Sequence, residues 1–272
     1  MFTRVSWVAW LLAFYTLGVC LLDSYVIGHL TSLRASMHTL LGMVLGILLV
    51  FRTNTAYDRW WEGRKLWGQL VNDSRNLAIK IQACVQASET EKQLLGVKLI
   101  AFSCGLRDHL RGKARLNALP GFEDSTVHPH HIPSFVAKSI YETIENWRQT
   151  EKVGGFELLF LDRHAAALMD ICGGCERILK TPIARSYRTF IRETIGVYLF
   201  TLPWGLVEDY GYWSVPLVLL LSYFMVGIEL IAEDIEQPFG TGYDDLHLDE
   251  YCRTIETNVT ELIRLDQPPR AA

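Results

Sequence analysis

Nowhere along its 272 residues does the sequence concentrate lysine and arginine: 26 basic residues stand against 30 acidic ones, for a formal charge of −4. A phosphate-binding face needs a basic excess, so nucleic acid is excluded as a partner class. Cysteine is scarce as well, with six residues scattered at positions 20, 84, 104, 172, 175 and 252. A chain this long does not need disulfide staples, and reduced thiols on a cytosolic side are expected. No repeat at solenoid spacing and no low-complexity tract interrupts the sequence. No nucleophile stands beside a base at a recognisable spacing, so no catalytic residue is assigned, no cofactor is expected, and a membrane-bound enzyme is the weaker class. The N-terminal MFTRVSWVAWLLAFYTLGVCLL has the basic residue and apolar run of a leader but lacks the small-x-small cleavage site. Its apolar character continues through Tyr25, Val26 and Ile27, which points to a retained transmembrane helix.

What the sequence does have is apolar length combined with charge: half of it is hydrophobic, yet 21% is charged. That mixture suits a chain partly in lipid and partly in water. Residues 5–27 match the roughly 20 residues that cross a bilayer core. A link, GHLTSLRAS, leads to a second apolar run over about 37–51, which is marginal in length. Two more runs come late: 194–207, short and broken by Pro203, and 213–231, long enough to span. The reading is an all-α membrane protein of four transmembrane helices in two hairpins, about 5–51 and 194–231, joined across EDYGY at 208–212. The remainder, about 52–193 and 232–272, forms a cytosolic helical part of the same single domain. Arg4, Arg52, Arg59, Arg64, Lys65, Arg185, Arg188 and Arg192 flank one side of the spans, whereas the outer links carry only Arg34. Both termini and the middle region are therefore expected to face the cytoplasm.

The middle region reads as helices over roughly 52–84, 86–112, 133–150 and 156–180, with NALPGFEDSTVHPHHIPS, 117–134, as a loop. His128, His130 and His131 in that loop are possible metal ligands, but one loop without a second ligand pair favours a solvated segment, and no metal is assigned. Cys172 and Cys175 have a redox-like spacing, yet no βαβ pattern surrounds them, so buried helix cysteines are the better reading. Asp23 and Glu229 lie near span ends, where they can snorkel or pair locally. Arg59 and Arg64 are candidate partners for the acidic run at 233–236.

The stretch RTNTAYDRWWEGRKLWGQLVNDSRNLA, 52–78, holds eight charged residues and three tryptophans, and follows LLGMVLGILLVF with no proline or turn cluster between them. If both belong to one helix, each residue advances about 100°. Met43, Ile47 and Phe51 then share a face that continues through Asn54, Asp58, Glu62 and Lys65. In a ring of identical helices, the apolar part of that face would form a constriction and the acidic part would line a wet vestibule, the devices channels use to gate and to concentrate cations. The plain alternative is that the three apolar residues face lipid or neighbouring helices and that Asp58 and Glu62 form a solvated face.

Three stretches together resemble the bestrophins in their bacterial form: FRTNTAYDRWWEGRKLWGQL, GGCERILKTPIARSY at 173–187, and IEQPFGTGYDDLHLDE at 235–250. Their order and spacing cover almost the whole chain. The resemblance implies a homopentameric ion channel of four-span helical subunits around a central pore, in a bacterial inner membrane. It maps the family's pore neck onto Met43, Ile47 and Phe51, and its cytosolic aperture onto Leu168, near Ala167. Animal bestrophins hold Ca²⁺ in a clasp after the fourth span. Here Pro238, Phe239 and Gly240 are present, but Thr241, Gly242 and Tyr243 replace part of the acidic run, leaving Asp244 and Asp245. A calcium site wants six to eight oxygen ligands, so no functional clasp is expected. The acidic line of Asp58 and Glu62, multiplied by symmetry, favours monovalent cations such as sodium or potassium. A chloride channel of the same architecture and a non-conducting scaffold are the alternatives.

Overall fold

The computed structural model describes residues 2–27 and 35–263, and of residues 2–5, 26, 27, 35 and 36 only the backbone. Among the described residues the chain is helical, without strands: α1 (Phe2–Leu22), α2 (Ala35–Cys84), α3 (Glu89–Leu110), α4 (Ile132–Gln149), α5 (Gly155–Lys180), α6 (Arg185–Tyr210), α7 (Ser214–Glu236) and α8 (Leu248–Ile263). The expected link at 28–36 lies mostly outside this description, as do the side chain of Arg4 and residues 264–272.

Among the described residues, three segments are long and apolar enough to cross a membrane: Ser6–Tyr25, Met37–Cys84 and Arg185–Glu236. The third consists of α6 and α7, joined through a 3-10 turn at Gly211–Trp213. Gly211 adopts φ +52, a left-handed conformation that side chains resist, and this lets α6 end where the polar EDYGY begins to turn. Pro203 was expected to break the third span. It lies inside the continuous α6, buried against its neighbours, and that helix spans 26 residues, Arg185–Tyr210, of which the apolar stretch 194–207 is only the middle part.

The chain divides into two compact units: Met1–Trp60 with Pro182–Glu236, and Trp61–Thr181 with Gln237–Ala272. These borders lie beyond the ends of the apolar runs, because α2, α6 and α7 continue as helices into charged sequence. In the first unit, Leu45 and Leu49 of α2 pack with Ile191, Ile195, Tyr198, Leu199 and Leu202 of α6 and Val218 of α7. The helices approach closely at two glycines. A Cβ on Gly42 would lie 2.8 Å from the Tyr198 hydroxyl, and one on Gly205 would lie 2.6 Å from His38 Nδ1. Small residues at such crossings let backbones come together where lipid offers no hydrophobic drive between helices. Trp204 Nε1–H donates to the Tyr15 hydroxyl at 2.8 Å, tying α6 to α1.

The second unit is built as a water-soluble bundle. α3 starts with a reciprocal capping box, Ser88 Oγ accepting from Glu91 N–H while the Glu91 carboxylate accepts from Ser88 N–H. α4 starts at His131, with Pro133 in its first turn. α8 buries Leu248, Cys252, Ile255, Val259 and Ile263, the spacing of one helical stripe, and Gly96 of α3 leaves room for Val259 and Ile263. Trp67, Trp147 and Phe102 are among the largest side chains sealed in this core. Asp73, His164 and Lys80 form a hydrogen-bonded string, His164 Nδ1 to Asp73 at 2.8 Å and Nε2 to Lys80 at 2.7 Å, which joins α2 to α5. All six cysteines are free thiols. Burial pushes the Cys172 thiol up to about 12 and Cys175 higher still, in keeping with a packing role for the pair.

Candidate functional site

α2 is a single 50-residue helix, so the charged stretch after the second apolar run continues the same rod. In the first unit its two faces differ sharply. Leu45, Leu49, Arg52 and Ala56 are buried, at a spacing of four, three and four residues. Met43, Ile47 and Phe51, on another face, are 62%, 52% and 61% exposed within the single chain, and Asn54 and Asp58 beyond them are also exposed. Among the described residues no contact covers these apolar side chains; lipid, another copy or a pore would each leave them bare in a single chain.

In the second unit, Glu62 is half-buried and accepts a hydrogen bond from the Arg177 guanidinium of α5. Its charge is therefore balanced within its own subunit, which weakens the acidic line drawn from the sequence. Exposed Arg64, stacked over Trp61, and exposed Lys65 follow it directly.

Leu168 is in a different position from the one the resemblance implied. It is 1% exposed, in the stripe Leu161, Ala165, Leu168, Cys172 and Cys175 that α5 turns into the core of the second unit. A side chain sealed within its own chain does not line an aqueous opening, and this burial argues against Leu168 as the aperture residue. Ala167 beside it is half-buried.

The structure also reveals a cluster of buried charges that spacing alone did not pair. Arg52, 0% exposed, donates through Nη2 to Glu236 at 2.7 Å and approaches Glu229 through Nε at 3.5 Å. Arg192 bridges Glu229 at 3.0 Å and Glu233 at 2.8 Å. Glu236 additionally accepts from the Ile183 N–H at 3.1 Å, and Arg59 Nε–H donates to the Glu236 carbonyl. Glu229 thus pairs internally rather than snorkelling, and the acidic run is held mainly by Arg52 and Arg192. One signal was available: Arg52 extends the buried Leu45–Leu49 stripe, so it had to lie inward and needed a partner. After α7, the Asp245 carboxylate accepts from the Gly242 N–H at 2.5 Å, closing the turn that follows Pro238, Phe239 and Gly240.

Comparison with known proteins places the chain in a family. A family model described as bacterial and fungal bestrophin matches residues 1–261. The chain belongs to the bestrophin family. A voltage-dependent anion channel-forming protein of Nostoc sp. is 36% identical over 239 residues, covering 84% of this chain and 78% of the relative. A protein of the same description from Synechocystis sp. is 35% identical over 270 residues, covering 94% of this chain and 85% of the relative. A crystal structure of a variant bacterial bestrophin homologue from Klebsiella pneumoniae is similar with a TM-score of 0.90 at 26% identity, over 95% of this chain and 98% of that one.

Proposed function

We propose that this bestrophin is one subunit of a homopentameric ion channel in a bacterial inner membrane, with four spans per subunit and both termini cytoplasmic. Met43, Ile47 and Phe51 form its hydrophobic neck. The observation that carries the reading is the two-faced α2: one face is packed on α6 and anchored by Arg52, and the opposite face presents bulky apolar residues that nothing in the chain covers. A ring of such faces restricts ion passage by dewetting rather than by charge.

The permeant ion is proposed to be a small anion such as chloride, which turns round the cation preference expected from the acidic residues. Two findings support this choice. The relatives at 35% and 36% identity are named as anion channel-forming proteins. Glu62, half of the acidic argument, is paired with Arg177. Asp58, exposed on the neck-bearing face, is the observation that keeps a cation channel as the second reading.

Purified protein in planar bilayers under asymmetric potassium chloride separates the two. A reversal potential moving toward the chloride equilibrium value is expected; movement toward the potassium value would establish the cation reading. Ile47→Ala should raise conductance or open probability, because a methyl lining dewets less readily than a sec-butyl one, and unchanged currents would remove the neck assignment. Absence of any ion flux from liposomes would leave a non-conducting scaffold.

A further inference from the structure

The second unit brings together two histidines and a glutamate that are remote in sequence. His109 lies at the end of α3, His131 is the N-cap residue of α4, and Glu176 is on α5. Glu176 Oε1 lies 2.6 Å from His109 Nε2 and 2.8 Å from His131 Nε2, and the three candidate ligand atoms are all within 4.8 Å of one another. The imidazole rings meet edge to face with centroids 4.6 Å apart. Lys180 takes the other carboxylate oxygen, Oε2, at 3.2 Å, leaving Oε1 to the two rings.

We propose that His109, His131 and Glu176 form a binding site for a divalent cation of the zinc class. The donor set selects the ion: two imidazole nitrogens and one carboxylate oxygen suit zinc and its borderline neighbours, whereas calcium and magnesium take oxygen shells. Each side chain is 18–29% exposed, so an ion can enter and water can fill a fourth position. Bonds of about 2.0–2.1 Å set tetrahedral ligands roughly 3.3 Å apart, so the carboxylate has to retreat by roughly 0.5–0.7 Å from its present hydrogen bonds, a shift within reach of side-chain rotation.

Ligation through Nε2 requires each ring to carry its proton on Nδ1. For His131 a partner is already in place: Ser134 Oγ lies 2.7 Å from Nδ1 and can accept that proton, the outer-shell bond that commonly orients a metal-bound histidine. In the hydrogen-bonded state shown here the same Nδ1 instead accepts from the Ser134 N–H at 3.1 Å. Ser134 serves both tautomers. A bound ion would tie the starts and ends of three helices together at one point.

The experiment uses the full chain, untagged, stripped with a chelator and titrated with zinc chloride by calorimetry in detergent. One zinc per chain is expected. His109→Asn or Glu176→Ala should weaken binding by at least about 100-fold, and Ser134→Ala by about 10-fold as an outer-shell change. The double variant His128→Asn/His130→Asn, altering the two exposed loop histidines, should bind like the natural chain. X-ray absorption of the zinc-loaded natural protein should show two imidazoles and an oxygen-rich remainder near 2.0–2.1 Å. No stoichiometric uptake, binding that survives His109→Asn, loss confined to the His128/His130 double variant, or sulfur scattering near 2.3 Å would each overturn the site. Should the single variants fail to fold, the absorption spectrum of the natural protein decides by itself. Channel activity does not enter any of these readouts.

Discussion

The two units of this chain solve opposite solvation problems. The first leaves Trp7, Phe14, Met43, Phe51, Val197 and Phe200 exposed, and it buries Arg52, Glu229 and Glu236. The second seals Trp67, Phe102 and Trp147, and places Lys138, Arg148 and Arg177 at its surface; only Phe156, Leu159 and Phe160 at the start of α5 stand out as a bare apolar group among its large side chains on that helix. Composition already leans apart, since all eight lysines fall in the second unit, although both units are helical and rich in leucine and arginine. The sharper difference is which side chains the helices turn inward. That difference identifies the surrounding medium, because lipid tolerates bare aromatic residues and water tolerates bare charge.

The largest effect that would test this contrast lies at Arg52. Replacing it by leucine strips Glu236 and Glu229 of a fully buried guanidinium partner, while Arg192 stays with Glu229 and Glu233. Breaking a buried pair from one side costs about 3–5 kcal/mol. The parallel change in the second unit, Arg148→Leu, removes an exposed pairing with Glu145 three residues earlier and should leave stability nearly unchanged, because water already screens that pair. Unfolding of both variants in detergent, followed by helical circular dichroism, provides the comparison. Similar losses in the two variants would mean that Arg52 is not held as the contrast requires.

A second comparison can be made within α2. Leu49 lies in the packed stripe against α6, whereas Phe51, two residues on, is exposed. Leu49→Ala should destabilise by about 2–5 kcal/mol through the cavity it leaves. Phe51→Ala should stay within about 0.5 kcal/mol when measured on dissociated subunits, because it uncovers nothing inside the chain. A large loss for Phe51→Ala under those conditions would show that its face packs within a subunit, and the proposed neck would then need another helix face.

Much of this was legible beforehand because it is local. The helices expected over roughly 86–112, 133–150 and 156–180 stand at Glu89–Leu110, Ile132–Gln149 and Gly155–Lys180, within a few residues. The uninterrupted run from Met43 to Lys65 foretold that α2 would pass from apolar to charged sequence without a break. Two features differ from the expectation for different reasons. The resemblance locates the aperture only approximately, whereas the spacing of Leu161, Ala165, Leu168 and Cys172 is itself a helical stripe that turns Leu168 inward. The Arg52 cluster and the His109, His131 and Glu176 group were not readable, since each joins elements separated by dozens to more than a hundred residues. Periodicity says which face turns inward but not which neighbour it meets. Pro203 misled for a physical reason: in a helix packed within lipid, a missing N–H can be accommodated by its neighbours.

The smallest effect concerns charge on the surface of the second unit, where water should dilute it. Glu91 closes the capping box of α3 and accepts from Lys152 at 2.6 Å. The Lys152 hydrogen bond, then those from the Ser88 backbone and hydroxyl, hold its carboxyl down at about 2 against an ordinary 4.5. A carboxyl depressed by folding stabilises the native state above the unfolded value and loses that contribution as protons are taken up on the way down to the folded one. The contribution of Glu91 is therefore complete above about pH 4.5 and gone near pH 2. Glu91→Gln, which keeps the shape of the box without the charge, should melt slightly earlier than the natural protein at pH 6, and the two melting curves should converge as the pH falls through that window. Curves that stay parallel from pH 6 to pH 2 would show that the charge contributes nothing at this helix start. The contrast with Arg52 would then be sharper than drawn here, with ionic stabilisation confined to charges that the first unit keeps out of water.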